Sequence, residues 1–438
     1  MTQSSAHTLG SPQHLTTSRG AALYIGALLG PGLLLLPGLA AAEAGPASVL
    51  AWLALLGLSG LFAAIFSAFG RTSPSAGGVM GYVAAALGPR AGRVAGWSFL
   101  AGVIGGAPIV CLIGASYVTG LTGGGYLARA TTAAMLLLTL LALAAGGLRA
   151  STGAQLILVS LLIGVVIVAV AGSAGSARAV NWTPFVPHGW LSIGHAATTL
   201  MLSFVGWEAV APLTTRFANP SRQLPRVVAI ALAATSALYL SLAIATISVL
   251  GPGAATTVPL ADLLRRAIGP AGTATAAAAA VVLTLGATNA YVTGAATMAQ
   301  QLTGSPSAAG QHPRPSARFL AAIAAAGLIL MTLYGLRLVG TASLVAVPTA
   351  LFLSVYLASM IAAARALRGP ARGAAVPAAF AVIVMLAYCG WALVVPAVVA
   401  LAAGWRGGGQ YRRRHLELAV PAAQCADRTP HRECRPAA

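Results

Sequence analysis

A chain of 438 residues that is 58% hydrophobic and 7% charged, with a mean hydropathy of +0.86, has too little charge to cover a water-facing surface. All 25 basic residues are arginine, six residues are acidic, and the formal net charge is +19. The arginines are scattered over short connections, which excludes a nucleic-acid-binding face; without lysine, no buried amine can titrate.

Residues 1–19, MTQSSAHTLGSPQHLTTSR, are polar and contain no apolar core of a cleavable signal, so they are expected to stay in the cytoplasm. About twelve apolar segments follow, over 20–43, 46–70, 91–121, 126–147, 151–173, 190–216, 223–250, 271–303, 317–336, 340–364, 373–390 and 391–405. The last two are short and closely joined. About 20 apolar residues of helix cross the hydrocarbon core of a bilayer. None of these runs alternates as a barrel strand would. The pattern predicts an all-α polytopic membrane protein with one membrane-embedded unit over 20–405. Two connections are themselves amphipathic. SAGGVMGYVAAALGPR (75–90) suits a re-entrant or interfacial helix, and PLADLLRRAIGP (259–270) a surface helix with an exposed ion pair. Residues 406–438 read as a basic, disordered tail.

The distribution of arginine supports this count. With the N-terminus inside and sides alternating, the cytoplasmic connections hold Arg19, Arg71, Arg90, Arg93, Arg149, Arg216, Arg222, Arg226, Arg314, Arg318, Arg365, Arg368 and Arg372, before the arginine-rich tail is added. The outer side holds Arg129, Arg178, Arg265, Arg266 and Arg337. That excess obeys the positive-inside rule and puts both termini in the cytoplasm of a bacterial inner membrane. Cys111 and Cys389 fall in apolar runs and read as packing residues. Cys425, His431 and Cys434 in the tail match no zinc spacing, so no metal or other cofactor is expected.

Two segments carry helix breakers at their centres. Segment one reads GAALYIGALLGPGLLLLPG, with Gly30, Pro31, Gly32 and Pro37 in an apolar run. Segment six reads SFVGWEAVAP, with Gly206, Glu208 and Pro212. Proline removes a backbone donor, and glycine makes it easier for the chain to leave the helix. Unpaired backbone groups at membrane depth cost several kcal/mol each unless protein, water or ligand satisfies them. Breaks at matching places in two halves point to a transport site between inverted repeats. Half-helix N-termini suit a carboxylate and half-helix carbonyls suit an ammonium, so a small zwitterion fits both.

The motifs resemble those of the amino acid–polyamine–organocation superfamily of secondary transporters. GALLGPGLLLLPG resembles its first-helix glycine motif, and PSAGGVMGYV (74–83) with GPRAGRVAGWSFL the signature after its second helix. SFVGWEAVAPLTTRFANPSRQLPRVV resembles its sixth helix and the loop beyond. Within it, the chain looks similar to bacterial exporters of methionine and branched-chain amino acids. The resemblance implies a LeuT-like fold: a 5+5 inverted repeat over 20–173 and 190–364, helices one and six broken, and two peripheral helices over 373–405. It implies substrate contacts at Ala27, Gly30, Gly32 and Leu33 of the first helix and Ser203, Phe204, Val205 and Gly206 of the sixth. Pro31 removes an amide that other members offer, and Leu202 stands where some carry Trp. The stretch AQLILVSLLIGVVIVAVAG (154–172) of segment five lacks the lysine of some proton-coupled members, and Ser160 is its only hydroxyl.

Glu208 is the candidate coupling or gating residue, because a carboxylate at membrane depth usually faces the bundle interior; a structural plug is its plainer role. Phe204 and Trp207 are gate candidates beside it. Thr284, Thr288 and Tyr291 share a face of segment eight with Asn289 adjacent, which makes Thr288 and Asn289 candidates for a pocket wall or for helix–helix contact. Glu43 reads as interfacial and His195 as structural. The expected function is alternating-access transport of small apolar amino acids, most simply export and with protons as a coupling ion. Proton-coupled uptake and a non-transporting amino-acid sensor are the alternatives. No catalytic triad, phosphate loop or metal cluster is visible in the sequence, so the chain does not read as an enzyme.

Overall fold

The computed structural model describes residues 15–30, 32–72, 78–148, 152–207, 217–303 and 314–405. Glu208, Pro31 and the tail lie outside these residues. The described chain is almost wholly helical. Its helices are α1 (Thr17–Leu28), α2 (Gly32–Ala44), α3 (Ser48–Thr72), α4 (Gly78–Leu87), α5 (Pro89–Thr122), α6 (Tyr126–Ala145), α7 (Thr152–Ser173), α8 (Leu191–Leu200), α9 (Pro220–Ala245), α10 (Pro259–Ile268), α11 (Pro270–Thr303), α12 (Ala317–Gly335), α13 (Thr341–Ala366), α14 (Pro370–Tyr388) and α15 (Val394–Trp405). The one extended pairing among the described residues is an isolated parallel bridge between Leu15 and Phe217.

The helix starts follow local chemistry. Thr16 caps α1 by accepting the Arg19 N–H, and Ser316 caps α12 by accepting that of Phe319. Gly88-Pro89, Asn219-Pro220 and Gly369-Pro370 each place proline in the first turn, where its missing donor is no loss.

Nine helical stretches among the described residues are long and apolar enough to cross a membrane, and Gly32–Thr72 counts as one of them because a short turn joins α2 to α3. Gly78–Leu87, Leu191–Phe204 and Gly390–Gly404 are apolar but shorter. The chain is therefore a multi-pass membrane protein. The two segments with central breakers give pieces too short to span alone, which is one physical reason that nine differs from the expected twelve.

Helix α5 is the hub, packing against α4, α6, α11, α12, α13 and α15. A Gly102 Cβ would lie 3.0 Å from the Phe352 ring, so α5 and α13 meet closely there. Helix α2 is sealed inside the bundle: Leu33, Leu34 and Leu36 have no exposed surface. The outer helices carry lipid-facing apolar side chains such as Phe380, Val398 and Leu401. Helix α10 is amphipathic as expected: Leu260, Leu263 and Leu264 are buried, while Arg265 pairs with Asp262 at 3.2 Å on the open side.

Proline 37 departs from expectation. The chain stays helical through it, so the first segment is broken once, around Gly30. A neighbouring chain can accommodate a freed carbonyl in a buried helix.

Candidate functional site

The first interruption begins at Leu29, whose N–H still reaches Ile25 O at 2.7 Å before its ψ of 66° leaves the helix. Gly30 N–H then turns back onto Leu28 O at 2.9 Å, and Leu33 N–H reaches Gly30 O at 3.2 Å as α2 starts. A Cβ at Gly30 would meet nothing within 4 Å among the described residues.

The second interruption follows α8. The chain tightens into a 3-10 turn over Met201–Phe204 and becomes extended at Val205. Gly206 then adopts φ 152°, a conformation that side-chain-bearing residues rarely take.

The two interruptions face each other. A Cβ at Gly206 would lie 2.6 Å from Ala27 O, and one at Gly32 would lie 2.9 Å from Ser203 Oγ. Glycine at both positions is what lets the backbones approach. Tyr239 of α9 fastens the pair, with its hydroxyl 2.6 Å from Leu28 O and 2.8 Å from Ser203 O. One hydroxyl proton cannot satisfy both carbonyls fully at once. Tyr356 of α13 donates to Phe204 O at 3.3 Å and accepts from Gly206 N at 3.4 Å. Tyr117 of α5 donates to Leu34 O at 2.5 Å. Ser203 Oγ is buried without a hydrogen-bond partner among the described residues.

This geometry amends the picture of bare main-chain dipoles. The carbonyls of Leu28, Leu34, Ser203 and Phe204 all lie within reach of tyrosine hydroxyls. The family match covers the whole region just described: the amino acid permease family matches residues 15–402. The chain belongs to the amino acid permease family. It is 30% identical over 419 residues to the uncharacterised amino acid permease YecA of Bacillus subtilis, covering 92% of this chain and 98% of that one. It is 33% identical over 237 residues to the L-methionine/branched-chain amino acid exporter YjeH of Escherichia coli, which covers 52% of this chain and 55% of the exporter. It is 28% identical over 238 residues to the branched-chain amino acid permease BcaP of Bacillus subtilis, about half of each chain. This is a family of permeases, not of enzymes.

Of the residues singled out in the permease sequence, Ala27, Gly30, Gly32, Leu33, Ser203, Phe204, Val205 and Gly206 all lie at the facing interruptions. Phe204 is buried between Trp52 and Tyr239, with ring centroids 5.8 and 5.3 Å away. Trp207 is fully buried and donates its indole N–H to Ser59 Oγ at 3.0 Å, which fastens the turn to α3. Thr288 and Asn289 make no hydrogen bond to the interrupted segments among the described residues. Asn289 gives its amide to Leu148 O at 2.7 Å, beyond the end of α6, while its Oδ1 and the Thr288 hydroxyl are buried without partners among the described residues. Glu43 is half-buried and accepts from Thr199 Oγ1 at 2.8 Å.

Sequence reasoning passed over Tyr117, Tyr239 and Tyr356. A signal was present: tyrosine belongs to the rims of spanning helices, and one set mid-run needs a hydrogen-bond partner in the interior.

Proposed function

We propose that this permease is a secondary active transporter of small apolar amino acids that works by alternating access, in the direction of export. The observation that carries the reading is the meeting of two interrupted helices at glycine-to-backbone distance. Substrate amino and carboxyl groups would be recognised there by Ala27, Gly30, Gly32 and Leu33 on one side and Ser203 to Gly206 on the other. The lining favours an apolar side chain. Leu33, Phe204, Trp52 and Tyr239 surround the break, and the one ion pair among the described residues lies on α10.

On this reading the helices form a LeuT-like arrangement of twelve spans. Helices α1 and α2 together make span one. Helix α8, its 3-10 turn and the residues after Trp207 make span six, with repeats over 20–173 and 190–364 and peripheral helices over 373–405. Thr288 and Asn289 line the wall from span eight, Phe204 and Trp207 act at the gate, and Glu208 carries a proton. Both termini lie in the cytoplasm of a bacterial inner membrane. Export, methionine and branched-chain substrates are suggested by the likeness to YjeH.

A panel of amino acids assayed in proteoliposomes, loaded and unloaded and with a pH gradient of either sign, tests each part. Efflux of apolar amino acids is the expected result. Uptake alone would reverse the direction, and binding without flux would make the chain a sensor. If proton-linked flux is seen and Glu208→Gln leaves it unchanged, Glu208 is not the coupling residue.

A further inference from the structure

We propose that Glu43 and Thr199 form a latch that holds the outer vestibule shut. The sidedness of this proposal rests on the transporter reading above. Glu43 is the penultimate residue of α2, and Thr199 is the penultimate residue of α8. The Thr199 hydroxyl donates to Glu43 Oε1 at 2.8 Å, so one hydrogen bond joins the halves of both interrupted segments that lie on the same side of the breaks. The connection over 174–190 is fastened at the same place. The main-chain O of Glu43 lies 3.0 Å from His188 Nδ1, and Ala47 N–H donates to Phe185 O at 2.9 Å. Three elements that must part for the outer side to open thus meet at one residue.

The carboxyl is poorly suited to a permanent brace. Its Oε2 is buried and has no hydrogen-bond partner among the described residues. No arginine among the described residues pairs with it. His195 lies one turn before Thr199 on α8, and its ring packs edge-on against Tyr388 with centroids 5.0 Å apart. Asp262 and Arg265 of α10, which also packs on α2, pair with each other. A buried carboxyl with one oxygen bare is a costly way to hold two helices that apolar contacts could hold. The same group works well in a contact that is made and broken. When α2 and α8 separate, water reaches Oε2 and the Thr199 hydroxyl, so the open state is relieved of that cost.

The test reads opening directly. In a chain whose Cys111, Cys389, Cys425 and Cys434 are replaced by serine, Ser203→Cys reports access to the interruption. An impermeant maleimide is added outside intact cells. Glu43→Ala and Thr199→Val are each expected to speed labelling about tenfold, the shift that one hydrogen bond to a carboxylate supports. The double variant should label no faster than either single one, and Glu43→Gln, which keeps an acceptor for Thr199, should label at close to the parent rate. Unchanged labelling in both single variants, or additive effects in the double, overturns the latch. If Glu43→Ala fails to fold, Thr199→Val decides alone. Amino-acid flux is scored in the chain with Ser203 intact: flux with latch-independent labelling sinks the latch only, and latch-dependent labelling with no flux sinks the transporter reading only.

Discussion

The interruptions and the polar stripe of α11 are both islands of hydrogen-bonding capacity in an apolar bundle, and they are treated oppositely. At the interruptions, Tyr117, Tyr239 and Tyr356 reach in from three separate helices to serve backbone carbonyls. On α11, the Thr284 and Thr288 hydroxyls and Asn289 Oδ1 are buried with no partner among the described residues. Broken backbone is a fixed feature that must be satisfied in every state. A side chain with spare capacity can be kept waiting for water, ligand or a neighbour that arrives in another state. Ser203 Oγ is the exception at the interruptions, buried beside Gly32 with no partner among the described residues.

The comparison breaks most visibly if the close approach is blocked. Gly206→Ala would put a methyl 2.6 Å from Ala27 O at a φ of 152°. A cost above about 3 kcal/mol is expected from strain and backbone overlap combined, seen as loss of folded protein by size-exclusion in detergent. A variant that folds and melts normally would show that the two interruptions do not pack as described. Tyr239→Phe should cost less, about 1–3 kcal/mol, because it strips a buried hydroxyl from Leu28 O and Ser203 O without changing shape. The melting midpoint in detergent should fall, and transport should fall with it. Trp207→Phe comes next, with about 1 kcal/mol lost from the indole bond to Ser59. An unchanged midpoint there would mean that the turn is held by packing alone.

The sequence carried the coarse architecture because the apolar runs and the arginine bias report the bilayer directly. The first break was legible at Gly30, Pro31 and Gly32 because glycine and proline act locally. Pro37 was misread for a tertiary reason: whether a helix survives a proline depends on what surrounds the freed carbonyl, and that surrounding comes from other helices. The tyrosines were hidden for the same reason. Nothing in the runs around Tyr239 or Tyr356 says which carbonyl, more than a hundred residues away in some cases, each will meet. Glu43 looked like a rim residue because its position in the run shows depth but not its partner, Thr199, 156 residues on. Apolar runs also look alike whether they face lipid or protein, so the buried α5 and the exposed α14 could not be told apart by hydropathy.

The smallest stability effect is expected from Thr288→Val, and it separates the two islands most sharply. Valine matches the shape of threonine and removes a hydroxyl that has no partner. Burying such a group costs roughly 1–3 kcal/mol, so its removal should leave the melting midpoint unchanged or raise it slightly. If the hydroxyl serves substrate in transport, flux should fall several-fold while stability does not. That dissociation is the opposite of Tyr239→Phe, where midpoint and flux should fall together. A lowered midpoint for Thr288→Val would mean that the hydroxyl is satisfied after all, by a water held between α11 and its neighbours, and that the stripe belongs with the structural tyrosines and not with the site.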